Sequence, residues 1–236
     1  MTNTRMMKRL FSIFWGFAVS CGMASAQHVT YKSFDHYNDK VVEFEKMRPV
    51  DSTDVVMLGN SITEFGGDWN KRVGGKHIRN RGIAGDDAMG IYHRLVQILP
   101  GKPKAIFLMV GINDISHDLT GEQVAELCIK VIDKIRRDAP QTKLYVQSIL
   151  PINEDFDRWK TLEGKTDVVP AVNRRVKAHC QRHGIKYIDL FSKFVRHGTN
   201  DLRRELSVDG LHLSPQGYKQ WAFVLKRYLR ECGAVR

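Results

Sequence analysis

The chain has 236 residues and a formal net charge of +11, from 37 lysines and arginines against 26 aspartates and glutamates. No Pro/Gly/Ser-rich linker interrupts its middle, so we interpret it as one domain behind a short leader. The basic residues are scattered in doublets such as Arg136-Arg137. This pattern argues against nucleic acid as a partner, because phosphate binding needs clustered charge. Four cysteines without paired spacing exclude a disulfide framework and a zinc site.

The first predicted element is a leader over residues 1–26. Basic residues precede an apolar run, and small residues ending at Ala26 provide a cleavage site. The run of about 14 apolar residues is shorter than the roughly 20 that a membrane-spanning helix needs. We therefore expect a cleaved signal peptide, a secreted or periplasmic protein without stable membrane insertion, and a single domain over residues 27–236. Lipoprotein processing at Cys21 is an alternative that would also export the chain.

Short apolar runs then alternate with longer segments of helical period. The predicted strands are residues 55–58, 78–81, 105–110, 144–149 and 186–190. The predicted helices are residues 33–47, 87–99, 121–138, 168–183 and 214–231. Most strand runs are nearly all apolar, as in parallel strands covered on both faces, whereas the second is polar enough for an edge position. This alternation predicts an α/β fold with a parallel sheet between two layers of helices.

Polar motifs follow these strands. Ser61 comes after the first strand, Gly85 after the second and Asn113 after the third, while Asp209 and His212 precede the last helix. Because the carboxyl ends of parallel strands meet at one edge of a sheet, we expect these residues to share one rim.

The five residues have the chemistry that acyl transfer by a serine requires. Ser61 is the candidate nucleophile, His212 its base, and Asp209 the carboxylate that orients the imidazole. Ser61, Gly85 and Asn113 are the candidate oxyanion-hole residues. Two simpler interpretations remain open at this point. Ser61 could cap a helix, and Asp209 could close an Asx turn that caps the final helix.

The order and spacing of these motifs resemble the SGNH hydrolases, also called GDSL esterases, over about residues 55–230. The likeness is closer to platelet-activating-factor acetylhydrolase catalytic subunits and to bacterial carbohydrate and sialate O-acetylesterases, on residues 80–86, 104–114 and 209–213 and on Asn200. The resemblance implies a three-layer α/β/α sandwich with a five-stranded, mainly parallel sheet. It also implies removal of small acyl groups, most often acetyl, without a metal or organic cofactor. Asn60 stands where the family has aspartate, and we expect altered electrostatics without loss of activity.

The sequence indicates the substrate less clearly than it indicates the reaction. We expect O-acetyl groups on carbohydrates, with lipid acyl esters as the alternative, because no apolar lid is evident and Gly66, Gly67 and Trp69 near the nucleophile suggest a short, shallow rim. Trp69 itself is expected to be a packing residue and not a sugar platform. A metal-dependent phosphoesterase using Asp86 and Asp87, and an exported glycan-binding module, are rival functions. Residues 153–166 are expected to form a packed, partly functional loop.

Overall fold

Helices and strands alternate along residues 33–236, the part of the chain that the computed structural model describes. The strands are β1 (Val55–Gly59), β2 (Ile78–Gly82), β3 (Ala105–Met109), β4 (Lys143–Gln147) and β5 (Lys186–Ile188). The helices are α1 (Asp35–Lys46), α2 (Ser61–Glu64), α3 (Trp69–Val73), α4 (Ala88–Arg94), α5 (Ile112–Ser116), α6 (Gly121–Asp138), α7 (Val168–Arg182), α8 (Phe191–Phe194) and α9 (Pro215–Glu231). The predicted leader, with Ala26 and Cys21, lies outside the described residues.

The five strands form one sheet in the order β2-β1-β3-β4-β5, and every pairing is parallel. All residues of β1 and β3 are buried, as expected when helices cover both faces. β2 and β5 are the edge strands, and β2 has the polar sequence of an edge position. The predicted three-layer α/β/α fold is confirmed.

The helices pack in groups around this sheet. α6 contacts both α4 and α7, and α3 contacts α9. α1 reaches the first group through Tyr37, whose hydroxyl donates to the carbonyl of Gly90 in α4 at 3.1 Å. Its Tyr37 and Phe44 form a small apolar cluster with Ile83, which lies in the loop after β2. The first helix therefore supports the loop that also contains Gly85.

Local sequence signals determine where the long helices begin and end. Thr120 caps α6 in a reciprocal capping box, and Ser214 caps α9. The helix predicted over residues 87–99 is shorter: α4 ends at Arg94 and two 3-10 turns follow. Pro100 lies in the second turn and cannot donate the backbone hydrogen bond that an α-helix would need there.

Four short helices, α2, α3, α5 and α8, were not predicted. Each has only four or five residues, which is too short for an apolar period to be visible in the sequence. Two predicted strands also end early, β4 at Gln147 and β5 at Ile188. α2 and α5 begin just beyond the ends of β1 and β3, so the missed helices lie at the rim where the candidate residues were expected.

A continuous cluster of buried apolar side chains extends from Val50 to Cys232. Within it, Phe107 on β3 stacks on Tyr145 on β4 with ring centroids 4.5 Å apart. The cysteines of the described range are buried free thiols: Cys128, Cys180 and Cys232. Within the same range, none of the helices combines the length and the apolar composition of a membrane-spanning segment.

Candidate active site

Ser61 is the first residue of α2, just beyond the end of β1. Its neighbour Asn60 caps this helix, because Asn60 Oδ1 accepts a hydrogen bond from the NH of Ile62 at 3.1 Å. The interpretation of Ser61 as the cap is therefore wrong. Since Asn60 satisfies the helix end, the Ser61 hydroxyl is available elsewhere, and it lies 3.0 Å from Nε2 of His212.

Two aromatic side chains fix the backbone of α2. Tyr218 donates its hydroxyl hydrogen to the carbonyl of Ile62 at 2.8 Å, and Trp69 Nε1 donates to the carbonyl of Thr63 at 3.2 Å. Trp69 is buried and meets Trp221 edge-on, with ring centroids 4.8 Å apart. Trp69 is thus a packing residue, as expected, and it helps to hold the turn that presents the nucleophile.

We call residues 207–213 the base loop, because it contains both Asp209 and His212. His212 Nδ1 lies 2.8 Å from Asp209 Oδ2. Asp209 Oδ1 accepts hydrogen bonds from the backbone NH groups of Leu211 at 3.0 Å and His212 at 2.7 Å. Asp209 therefore closes a turn inside the loop, while α9 has its own cap at Ser214. The interpretation of Asp209 as a cap of the final helix is wrong.

The hydrogen bonds of Asp209 also affect its protonation. Burial raises the pKa of this carboxyl, but the hydrogen bonds from His212 and from two backbone NH groups outweigh that effect, and the pKa lies below its usual value. The carboxylate is therefore ionised at neutral pH. An ionised acceptor beside Nδ1 favours the tautomer that has its proton on Nδ1, so that Nε2 is left as an acceptor toward Ser61.

Gly210 allows the base loop to pack closely against the segment after β4. Its φ is +88°, and a Cβ atom there would lie 2.3 Å from the carbonyl oxygen of Asn153. The NH of Asn153 donates to the carbonyl of Gly210 at 2.8 Å. Ser207 adds internal bonds, because its hydroxyl donates to the carbonyl of His212 and accepts from the NH of Gly210, both at 2.8 Å.

The loop after β2 places Gly85 near Asn113. Gly85 has a φ of +84°, which glycine adopts without strain. Asn113, in the first turn of α5, donates from Nδ2 to the carbonyl oxygen of Asp86 at 2.7 Å. One amide hydrogen of Asn113 is not used in this bond. Among the described residues, the NH groups of Ser61 and Gly85 have no protein acceptor. The site thus contains three donors that are not used within the fold.

The sequence analysis missed Arg94, which connects three parts of the rim. Its Nε lies 2.7 Å from Asp86 Oδ2, and its two terminal nitrogens donate to the carbonyl groups of Arg81 at 2.8 Å and Gly59 at 2.9 Å. Both charged groups are fully buried. Burial raises the pKa of Asp86 to about 7, against the lowering effect of Arg94. A polar residue on an otherwise apolar face of the predicted helix is the only sequence signal that could have indicated this role.

The carboxylates of the rival phosphoesterase are used within the fold. Asp86 pairs with Arg94, and Asp87 caps α4 by accepting from the NH of Gly90 at 2.8 Å. Buried Asp114 accepts from the NH of Ala88 at 3.1 Å, and burial raises its pKa to about 7. Over residues 33–236, no group of three or more His, Cys, Asp or Glu residues could hold a metal ion.

Two exposed aromatic rings contact His212. The ring centroids of Phe65 and Trp159 lie 5.1 Å and 5.2 Å from that of the imidazole. Trp159 belongs to residues 153–166, which fold into two 3-10 turns and bury Leu162. The expected packed loop therefore borders the base loop.

A wide groove of about 1110 Å³ lies elsewhere, along β5 between α7 and α9. It contains none of the candidate residues, and no serine and histidine pair lines it, so we do not assign ester chemistry to it. Its basic lining residues are Lys177, Lys186, Lys193, Lys226, Arg227 and Arg230.

Comparison with known proteins identifies the family of this chain. Residues 57–220 match the GDSL-like Lipase/Acylhydrolase family. The rat platelet-activating factor acetylhydrolase IB subunit alpha2 is 28% identical over 171 residues, which cover 70% of this chain and 71% of the relative. The human subunit alpha1 is 26% identical over 170 residues, with 70% of each chain covered.

Solved structures share the fold. A GDSL-like lipase from Bacteroides thetaiotaomicron VPI-5482 has a TM-score of 0.70 at 19% identity, covering 83% of this chain and 97% of its own. An acetyl xylan esterase, AlAXEase, has a TM-score of 0.62 at 18% identity, covering 75% of this chain and 98% of its own. With the family match spanning most of the sequence, the chain belongs to the GDSL-like lipase/acylhydrolase family and is a carboxylic ester hydrolase.

Proposed function

We propose that this protein is an exported serine esterase that removes short acyl groups, chiefly acetyl, from carbohydrates. The observation that supports this most directly is the continuous hydrogen-bonded series from Ser61 Oγ to His212 Nε2 at 3.0 Å and from His212 Nδ1 to Asp209 Oδ2 at 2.8 Å. A hydroxyl, an imidazole and an ionised carboxylate at these distances can transfer a proton as the hydroxyl attacks.

The mechanism follows from this arrangement. His212 takes the hydroxyl proton while Ser61 Oγ attacks the ester carbonyl, and Asp209 stabilises the imidazolium that forms. The NH groups of Ser61 and Gly85 and the free amide hydrogen of Asn113 stabilise the negative oxygen. His212 then gives its proton to the leaving alcohol. Water, deprotonated by the same imidazole, attacks the acyl-enzyme and releases the acid.

The names of relatives support acetyl as the acyl group. The curated relatives are platelet-activating factor acetylhydrolase subunits, and one fold neighbour is an acetyl xylan esterase. These names share the acetyl group and differ in the alcohol, which is a lipid in one case and a polysaccharide in the other. Lipid acyl-ester hydrolysis is therefore the second candidate function for this chain.

Export belongs to the same proposal. It is supported by the leader over residues 1–26, with its apolar run and the small residues before Ala26. N-terminal sequencing of the exported protein is expected to begin at Gln27. A lipid-modified Cys21 at the N-terminus would support the lipoprotein alternative instead.

The test is hydrolysis of p-nitrophenyl acetate. We expect Ser61→Ala to remove nearly all activity, and Asn113→Ala to lower kcat/KM about 10²-fold through loss of an oxyanion donor. Ser192→Ala, in the short helix α8, is the matched control and is expected to keep full activity. Wild-type protein no faster than Ser61→Ala would contradict the proposal and favour a glycan-binding module.

Acyl chain length separates the two ester classes. Activity is expected to fall steeply from p-nitrophenyl acetate to p-nitrophenyl octanoate, because the sequence predicts a short, shallow rim without an apolar segment that would hold a long chain. Faster hydrolysis of the octanoate would support the lipid alternative.

A further inference from the structure

Two aromatic side chains lie where the alcohol part of an ester would have to be. In the proposed reaction, His212 protonates the leaving alcohol, so groups that contact the imidazole face that part of the substrate. The oxyanion donors face the acyl oxygen instead. Phe65 and Trp159 contact the imidazole, with ring centroids 5.1 Å and 5.2 Å away. Their position therefore assigns them to recognition of the alcohol.

Both rings are exposed although they are large and apolar. Phe65 is 51% exposed and Trp159 is 39% exposed, whereas Trp69 and Trp221 are fully buried in the core. Exposed aromatic surface beside a reactive centre is typical of a ligand site.

The backbone around each ring is fixed. Phe65 is the C-cap of α2, directly after Glu64, and its NH donates to the carbonyl of Ser61 at 2.8 Å. The carbonyl of Trp159 accepts from the NH of buried Leu162 at 2.8 Å. Glu154 ties the same segment together by accepting from the NH of Gly164 at 2.8 Å. Rings on fixed backbone lose little conformational entropy when a ligand binds.

The surroundings of Trp159 are polar. A small pocket of about 110 Å³ lies beside it, between residues 152–163 and Gly210. Its charged lining residues are Glu154, Asp157, Arg158, Lys160 and Glu163. An alkyl chain in this pocket would desolvate these charges without replacing their hydrogen bonds. A sugar ring matches both features, because its C–H face packs on an aromatic ring while its hydroxyls bond to charged groups.

We propose that Phe65 and Trp159 form a pyranose-binding site on the alcohol side of Ser61, and that this site selects acetylated sugars over lipid esters. The inference rests on the proposed esterase function and names its substrate class. It also predicts sugar binding that can be measured without catalysis.

The first experiment measures binding by tryptophan fluorescence in the inactive Ser61→Ala protein. Acetylated xylo-oligosaccharides are expected to change the emission of the protein that begins at Gln27, which lacks Trp15. The change is expected to disappear in Ser61→Ala/Trp159→Phe, because the two remaining tryptophans, Trp69 and Trp221, are buried. No change, or the same change in both proteins, would overturn the inference. Because this readout needs no turnover, its result is independent of whether Ser61 is the nucleophile.

The second experiment compares acetate release from acetylated xylo-oligosaccharides and from ethyl acetate, whose alcohol is too small to cover both rings. We expect Trp159→Ala to lower the ratio of the two kcat/KM values about tenfold, and Trp159→Phe to restore most of it. The matched control is Phe223→Ala, a 75% exposed aromatic on α9, which is expected to leave the ratio unchanged.

Equal losses on both substrates, together with a shifted pH profile, would contradict sugar recognition, since they would show that Trp159 positions His212. A Trp159→Ala variant that loses activity on a lysophospholipid and keeps it on the oligosaccharides would overturn the inference in favour of a lipid alcohol.

Discussion

The two halves of the site are built differently. One half, which we call the strand-end region, consists of residues 59–64, 82–88 and 110–116, at the ends of β1, β2 and β3. It contains short helices and the buried carboxyls of Asp86 and Asp114. The base loop, residues 207–213, contains no helix or strand. Its own side chains and one isolated bridge between Ser207 and Leu213 hold it together.

The pKa values of the carboxyl groups also differ between the two halves. Burial raises the pKa values of Asp86 and Asp114 to about 7 in the strand-end region. In the base loop, burial is outweighed by hydrogen bonds, and the pKa of Asp209 is lowered. We infer that changes at the buried carboxyl groups of the strand-end region mainly cost folding free energy, whereas changes at Asp209 in the base loop mainly cost catalysis.

The largest expected effect is on catalysis. Asp209→Asn is expected to lower kcat for p-nitrophenyl acetate about 10⁴-fold, because an amide NH₂ facing Nδ1 favours the wrong imidazole tautomer. The amide oxygen can still accept the NH groups of Leu211 and His212, so the free energy of unfolding should fall by only about 1 kcal/mol. Rates of p-nitrophenol release give kcat, and urea unfolding of the same preparations gives the free energy of unfolding.

Asp201→Asn is the matched control for this experiment, since Asp201 forms a partly exposed ion pair with Arg196 outside the site. It is expected to leave both activity and stability nearly unchanged. If Asp209→Asn lowered stability by several kcal/mol, the contrast between the two halves would be wrong.

The second-largest effect is on stability, at the buried ion pair between Arg94 and Asp86 of the strand-end region. Arg94→Met removes one partner of a fully buried ion pair and is expected to lower the free energy of unfolding by about 3–5 kcal/mol. The double variant Arg94→Met/Asp86→Asn is expected to recover part of this loss, because it no longer contains an unpaired buried carboxyl. Urea unfolding measures both. The control Arg137→Met, at an exposed ion pair, is expected to leave the free energy of unfolding nearly unchanged, and an equally small effect at Arg94 would contradict the prediction.

The smallest effect, expressed per pH unit, is a pH dependence of stability that separates the two kinds of carboxyl. The pKa of Asp114 rises from 3.8 to about 7 on folding, so the folded chain keeps a proton that the unfolded chain releases between these values. Its contribution to stability is therefore present below pH 4 and is lost as the pH rises to 7.

Asp114→Asn is expected to reduce the slope of the free energy of unfolding against pH. The reduction is the contribution of about one proton, which is at most about 1.4 kcal/mol per pH unit. Unfolding free energies measured from pH 4 to pH 7 test it. Asp118→Asn is the control, because Lys165 lowers the pKa of this exposed carboxyl and its titration lies below that window. Identical pH slopes for Asp114→Asn and wild type would show that Asp114 is already ionised in the folded chain.

Sequence patterns predicted the sheet and the long helices well, for clear physical reasons. Strands buried on both faces are continuous apolar runs, and α6 has both an apolar period and a capping box. The short helices α2 and α5 were missed. They are stabilised by packing and caps at the strand ends, and a helix of this length has no apolar repeat that a sequence would show. Thr63 and Ile62, for example, are held by hydrogen bonds from residues in α3 and α9.

The residues of the candidate site also fall into two groups, those that the sequence predicted and those that only the structure placed there. The sequence by itself predicted a serine, an imidazole and a carboxylate for acyl transfer from the residue types and order of its motifs, and Ser61, His212 and Asp209 lie within hydrogen-bond distance of one another in series.

Only the tertiary structure decided how other residues serve that chemistry. Arg94 is 35 residues from the carbonyl of Gly59 that it binds, and Trp159 is distant in sequence from both Phe65 and His212. No local pattern encodes such contacts, because they arise when separate strand ends and loops pack at one edge of the sheet. The same physical reason explains why Asn60, and not Ser61, caps α2: the hydroxyl of Ser61 finds its partner 151 residues along the chain, in the base loop.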